Sequence, residues 1–153
     1  MTTLGYKDNI LISKAEIAIT QLNEAISLFI NEKYICSLTL ASAAEEIFAG
    51  ILRVKGKTPA IETSHSLIQD FKDVLGLSSE LHAKSKKQIF NEWNFVKNKL
   101  KHHDTNDALE LSFNDFDEAH RMILRALANA KELGVEVSNK QDFQNCVIMR
   151  VSL

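Results

Sequence analysis

Hydrophobic positions recur at three- and four-residue steps over most of the chain, which is the spacing of one face of an α-helix. This pattern predicts a first helix from about Tyr6 to Phe29 and a second from about Lys33 to Lys55. Gly56 then stands where a left-handed C-cap residue belongs. The second helix contains the segment "SLTLASAA", whose small side chains let a neighbouring helix approach closely. We therefore expect the second helix to be central.

The remaining chain predicts three more helices and an ambiguous tail. The tail fits either a short helix or a strand, and the helix is the preferred interpretation. Caps and glycine stops set the predicted bounds. The third helix runs from Glu62 or Ser64 to Leu75, the fourth is capped by Ser78 or Ser79 and continues to about His103, and the fifth is capped by Ser112 or Asn114 and stops at Gly134.

These elements indicate an all-α fold, an antiparallel up-and-down helical bundle of four to five main helices with a short sixth helix at the C-terminus. One proline and five glycines in 153 residues favour long helices over many short strands. The length suits a single domain over 1–153 with a sizeable core, and residues 135–153 are expected to form a C-terminal appendage.

Composition limits the classes of function. A net charge of -2 gives no global electrostatic case for nucleic acid, so any such case needs a local patch. Two cysteines and the absence of a secretion signal indicate a reduced, cytoplasmic protein. We expect no membrane span and no cofactor. A ferritin-like di-iron bundle needs a Glu-x-x-His pair on each of two core helices. Only one such pair occurs, Glu62 with His65, which argues against this class of protein.

The predicted fourth helix has two contrasting faces at about 100° per residue. One face carries Ile89, Trp93, Val96 and Leu100, and it is expected to join the core. Phe95 flanks the other face. Asparagine is a mediocre helix former, so an asparagine-rich face indicates a functional groove, a subunit interface or unoptimised surface. That polar face consists of Lys87, Asn91, Asn94, Asn98 and His102.

Charge changes sign at the end of this helix. Six lysines and one acid lie between His82 and His103, whereas six acids and no base lie between Asp104 and Glu118. The helix dipole favours cations at the end of one helix and acids at the start of the next, which accounts for part of the pattern. A lysine cluster can also be no more than a solvent-exposed helix face. A basic strip can also hold phosphates. The candidate nucleic-acid contacts are Lys84, Lys87, Asn91, Asn94 and Lys101.

His102 is the candidate general acid–base, because the ordinary pKa of histidine suits proton transfer near neutral pH. Adjacent helical residues point about 100° apart, so His102 and His103 are badly placed to share one metal ion. No metal site is predicted.

The string Lys97-Asn98-Lys99-Leu100-Lys101-His102 resembles the motif of the HEPN superfamily, the higher-eukaryote and prokaryote nucleotide-binding domains. The segment "ASAAEEIFAGIL" is similar to the second helix of such bundles, and the resemblance spans roughly residues 22–133. It implies a small, often homodimeric helical bundle. Many members are metal-independent ribonucleases that use an arginine, a polar residue and a histidine. The corresponding residues here are Lys97, Asn98 and His102.

The lysine departs from the family motif, since its ammonium lacks the planar bidentate fork of a guanidinium. Lys97 also lies toward the core flank of the predicted helix. The preferred hypothesis is therefore a homodimeric HEPN-like module that binds RNA or a nucleotide without efficient catalysis. One alternative is an endoribonuclease of toxin or defence type that uses His102. The other is a protein-interaction bundle with an unidentified protein partner.

Two glutamates of the second helix complete the candidate site. Glu46 is predicted to face solvent. Glu45 lies at the core boundary, where it can either orient His102 or pair with a lysine, and a surface ion pair is the preferred interpretation.

Overall fold

The computed structural model describes residues 4–76 and 84–152, and it is all-helical over these ranges. The predicted all-α bundle is confirmed. In the described part of the chain the helices are α1 (Lys14–Ile30), α2 (Tyr34–Val54), α3 (Ala60–Val74), α4 (Lys86–Trp93), α5 (Phe95–Lys99), α6 (Asp115–Glu132) and α7 (Lys140–Val151).

Helices α1, α2 and α6 build most of the core, and α2 lies between the other two as its small side chains predict. A three-residue connection joins α1 to α2, so the two helices form a hairpin. Glu32 in this connection has a φ of +62°. The small residues Ala41, Ala44 and Ala49 of α2 are buried, which lets the neighbouring helices approach its backbone.

The first helix starts later than the apolar spacing predicts. It begins at Lys14, because Ser13 forms a capping box: its hydroxyl accepts from the Glu16 N–H at 3.1 Å and its own N–H donates to the Glu16 carboxylate at 2.9 Å. The prediction of a start at Tyr6 was wrong. Ile10 and Leu11 are consequently exposed rather than part of a helical core face.

The glycine stops and the tail helix agree with the sequence. Gly56 and Gly134 follow α2 and α6 with φ near +70°, the left-handed conformation that only glycine adopts without strain. The tail forms α7, which confirms the helix over the strand. Phe143 and Cys146 of α7 belong to the same buried cluster as α1, α2 and α6.

Arg150 fastens the C-terminal helix to the bundle. Its guanidinium donates to the carbonyl oxygens of Phe29 at 3.3 Å and Ile30 at 2.7 Å, at the end of α1 where carbonyls lack their full set of helical partners. It also donates to the hydroxyl of Tyr34. The expected appendage is therefore packed against the main bundle over the described residues.

No membrane span was expected from the sequence, but one helix of the described residues, α2, meets the length and hydropathy of a membrane-spanning helix. By length and composition alone it is apolar enough to cross a membrane, and half of its most apolar window is buried inside the bundle. A helix at the centre of a bundle meets the same test.

An aromatic cluster at α1, α6 and α7 surrounds His120. The ring lies 6.1 Å from Phe116 and 5.8 Å from Phe143. Burial lowers the pKa of His120 below the ordinary histidine value, and the nearby charge of Asp117 offsets only part of this effect.

This lowered pKa predicts acid sensitivity of the fold. His120 binds a proton more readily in the unfolded chain than in the folded chain. The contribution of neutral, buried His120 to stability is therefore fully present above about pH 6.5, and it is lost as the pH falls through the lowered pKa of the folded state. Urea unfolding at pH 7.5 and 5.0 should show a larger loss for the wild type than for His120→Gln. His102→Gln, at an exposed position, is the matched control and should keep the wild-type loss. If His120→Gln lost as much stability as the wild type between pH 7.5 and 5.0, His120 would not be the source of the acid sensitivity.

Candidate functional site

The predicted fourth helix is two short helices in the described structure. Helix α4 ends at Trp93, and α5 begins directly after a turn at Asn94, whose φ and ψ are -105° and 1°. The amide oxygen of Asn94 accepts from Arg125 of α6 at 3.0 Å, which fixes the turn against the bundle. The predicted cap at Ser78 or Ser79 lies outside the described residues, and α4 is capped by Ser85 instead.

The chain leaves the helix before it reaches the two histidines. Helix α5 ends at Lys99, and His102 and His103 lie in irregular chain. Asp107 stabilises this exit, because its carboxylate pairs with Lys99 and accepts from the Asp104 N–H at 3.1 Å. The prediction that Asn98 and His102 share one helix face was therefore wrong.

A buried ion cluster lies where α2, α5 and α6 meet, and we call it the Glu45 cluster. It consists of Glu45, Lys97, Arg125 and Asn129. The Glu45 carboxylate lies 3.1 Å from Arg125 Nη2 and 3.7 Å from Lys97 Nζ. Asn129 Nδ2 approaches the same carboxylate at 3.5 Å. Only 3% of the Glu45 side chain and 6% of the Lys97 side chain are exposed.

The Glu45 cluster corrects two predictions. The described contacts of Glu45 go to Arg125, Lys97 and Asn129 rather than to His102, and its ion pairs are buried rather than at the surface. Two cations close to one buried carboxylate stabilise its charge, and the second acid, Glu46, helps to balance them.

Glu46 extends the cluster to the surface. Half of its side chain is exposed, and its Oε1 accepts from Lys97 Nζ at 2.8 Å and from Lys101 Nζ at 3.5 Å. Burial raises the pKa of Glu46, but the hydrogen bond and charge of Lys97, with those of Lys101, more than offset this effect and lower it overall. Lys97 is thus held between two carboxylates, and its ammonium does not reach out to solvent.

Sequence reasoning missed Arg125 and Asn129. Asn129 lies on the core face of α6, at helical spacing from Met122 and Ala126. A polar residue within this apolar stripe could have identified it in the sequence as a buried hydrogen-bonding residue. Its amide oxygen accepts from the Ala60 N–H at 2.7 Å and satisfies the start of α3. Arg125 Nε is buried without a hydrogen-bond partner among the described atoms.

The predicted nucleic-acid contacts do not form one continuous surface. Lys87 and Asn91 are exposed, whereas Asn94 is turned toward Arg125. Lys84 pairs with Glu92 at 2.6 Å, and Lys101 pairs with Glu46. Four of the six lysines in this stretch therefore pair with carboxylates, namely Lys84, Lys97, Lys99 and Lys101.

His102 lines an open cleft of about 500 Å³ beside α5, which we call the histidine cleft. Neither Lys97 nor Asn98, both within the described part of the chain, lines it, so the three candidate catalytic residues are not gathered at one site. Polar and apolar groups mix along the walls, and they include Lys99, Lys101, His102, His103, Phe95 and Leu111.

Trp93 was predicted to belong to the core, but it is only half-buried. Ile89 of the same predicted face is buried, and Val96 and Leu100 pack against the core cluster. Trp93 instead lines an apolar groove of about 280 Å³ between α3, α4 and α6, which we call the α3–α6 groove.

No protein-family model, curated protein or solved structure matches this chain. The HEPN resemblance accordingly rests on the motif around Lys97 and on the helix layout. Within the described residues, no group of three or more histidine, cysteine or acidic side chains is placed to hold a metal ion.

Proposed function

We propose that this protein is a HEPN-like homodimeric module that binds RNA or a nucleotide and does not cleave it efficiently. The observation that carries the non-catalytic part is the burial of Lys97 between Glu45 and Glu46. Two carboxylates beside the ammonium neutralise its charge locally, so it attracts a scissile phosphate only weakly. A lysine also lacks the planar, bidentate guanidinium with which an arginine holds a phosphate.

Two exposed features support the binding part of the proposal. The histidine cleft places His102 and His103 beside Lys101, and Lys87 and Asn91 extend from the exposed side of α4. Histidine and lysine N–H groups are donors suited to phosphate oxygens, and amides suit base edges or sugar hydroxyls. Among the described contacts Lys87 has no carboxylate partner, so its charge is available to a ligand.

Salt dependence tests the proposed RNA binding. Affinity for a labelled single-stranded RNA should fall linearly on a log–log plot against salt concentration. Lys87→Ala should lower the slope by about one unit if Lys87 contacts a phosphate. Lys84→Ala and Lys101→Ala should lower it less, because each lysine already pairs with a carboxylate.

Lys140→Ala removes an exposed lysine from α7 and is the matched control, with an expected slope equal to that of the wild type. If the wild type does not bind RNA or nucleotides at low salt, the proposed ligand is wrong.

A protein-interaction bundle is the second candidate, and the apolar stripe of α3 favours it. Only Ile61 of this helix is buried, while large apolar side chains recur at three- and four-residue steps on its exposed side. Binding to a protein partner would persist at salt concentrations that abolish phosphate contacts. The exposed stripe consists of Leu67, Ile68, Phe71, Val74 and Leu75.

A further inference from the structure

Lys101 belongs to two sites at once. Its side chain lines the histidine cleft, and its ammonium lies 3.5 Å from Glu46 Oε1. Among the described residues, those that line the cleft do not include Glu46. The pair of Lys101 with Glu46 therefore connects the cleft to the Glu45 cluster, because the same Glu46 carboxylate also pairs with Lys97.

Glu46 holds its two lysines unequally. Lys97 Nζ lies 2.8 Å from Glu46 Oε1 and 6% of its side chain is exposed, whereas Lys101 Nζ lies 3.5 Å away and 25% of its side chain is exposed. Lys101 follows the end of α5, and its flexible four-carbon chain lets the ammonium turn. When Lys101 leaves, Glu46 keeps Lys97 as its partner, so no buried charge is left unpaired. The contact with Lys101 is therefore the one that an incoming anion can break.

The second lysine of the cleft is held more firmly. The Lys99 ammonium pairs with Asp107, and the same carboxylate accepts from the Asp104 N–H at 3.1 Å. Asp107 thus organises the chain that forms one wall of the cleft, and release of Lys99 would remove a contact that holds this wall. Lys101, which lies in the cleft with His102, is the cation that a ligand can take without disturbing the wall.

We propose that Glu46 sets the affinity of the histidine cleft for phosphate: it holds Lys101 in the free protein, and a phosphate group of the ligand takes Lys101 from it. The ligand is a phosphate ester of RNA or of a free nucleotide, because lysine and histidine N–H groups donate to phosphate oxygens. Such a phosphate can contact His102 and His103 as well, whereas Glu46 offers Lys101 a single long contact. This inference rests on the proposed function and identifies a residue that limits its affinity.

A double-mutant cycle tests the competition. Glu46→Gln keeps the shape of the side chain and removes its charge, so it should tighten the binding of a labelled single-stranded RNA by about two- to fivefold, as expected when an exposed ion pair is lost. Lys101→Ala combined with Glu46→Gln should show no gain over Lys101→Ala alone, because the lysine that Glu46 restrains is absent. Fluorescence anisotropy gives the affinities at about 0.1 M salt, which screens charges more than about 10 Å apart. Circular dichroism confirms the fold of each variant.

Glu110→Gln is the matched control. It makes the same change at an acid that lines the cleft, and among the described contacts Glu110 has no cation partner. Its effect on RNA affinity should be the same with and without Lys101. The salt dependence gives a second measure, since Lys101→Ala should lower the slope by about one unit in Glu46→Gln and by less in the wild type, where the lysine is already paired.

Competition with a small ligand identifies the source of the phosphate. If adenosine monophosphate displaces the RNA, the ligand of the cleft is a single nucleotide, and if the RNA resists it, the ligand is the phosphate backbone of a polynucleotide. Adenosine, which lacks the phosphate, should not displace the RNA.

The outcomes distinguish this inference from the proposed function. If Glu46→Gln does not tighten RNA binding, or if the same gain persists without Lys101, the competition is overturned and RNA binding stands. Displacement of the RNA by adenosine would also overturn it, since phosphate would not then be the group recognised. If neither the wild type nor Glu46→Gln binds RNA or the nucleotide, the proposed function fails and this inference fails with it.

Discussion

Glu45→Gln is expected to lower the free energy of unfolding by about 3 kcal/mol, the lower end of the range for breaking a buried ion pair. The amide keeps the shape and can accept a hydrogen bond, but it removes the charge that faces Lys97 and Arg125. Both cations then remain in a site where 6% and 16% of their side chains are exposed. Urea unfolding monitored by circular dichroism gives the value.

Glu46→Gln is the matched control, since the same change falls on the adjacent residue. Half of the Glu46 side chain is exposed, so its pairs with Lys97 and Lys101 are expected to contribute about 1 kcal/mol or less. The double variant Glu45→Met with Lys97→Met should cost less than the sum of its single changes, because each single change already includes the loss of the Glu45–Lys97 pair. Equal losses in Glu45→Gln and Glu46→Gln would contradict the described cluster.

Phe29→Ala is expected to cost about 3–5 kcal/mol, the range for truncating a fully buried aromatic side chain. The Phe29 ring is 0% exposed and lies 5.1–5.2 Å from the rings of Tyr34, Phe116 and Phe143. Its loss would open a cavity where α1, α6 and α7 meet. Thermal or urea unfolding measures the effect.

Phe71→Ala is the control for this prediction, because the Phe71 ring is 65% exposed on α3. It should change stability by about 0.5 kcal/mol or less, as most surface substitutions do. A comparable loss in both variants would mean that α3 packs more tightly than described.

The helical fold was largely predictable from the sequence because apolar spacing and caps are local signals. The glycine stops at Gly56 and Gly134 and the cap at Asn114 agree with the structure. The start of α1 was misplaced because Ile10 and Leu11 continue the helical spacing, whereas the Ser13 capping box, a local hydrogen-bond pattern, sets the boundary.

The candidate site was predicted less well because its geometry depends on contacts between distant residues. A wheel drawn through residues 79–103 assumes one straight helix, but the contact of Asn94 with Arg125 accompanies a break in it. A lysine was among the partners predicted for Glu45, and Lys97 does pair with it, but the carboxylate is buried rather than at the edge of the core. Its main partner, Arg125, is 80 residues away, and no local spacing points to that contact.

Metal-free cleavage of a single-stranded RNA tests the central claim, that Lys97 is a structural ion-pair residue in a binding module. The assay compares the wild type with Lys97→Arg and His102→Ala at equal folded concentration. We expect the same background rate for all three, because the side chain at position 97 faces Glu45 and Glu46 rather than the histidine cleft. Wild-type cleavage that His102→Ala reduces by roughly 10²–10⁴-fold, the usual contribution of general acid–base catalysis, would contradict it.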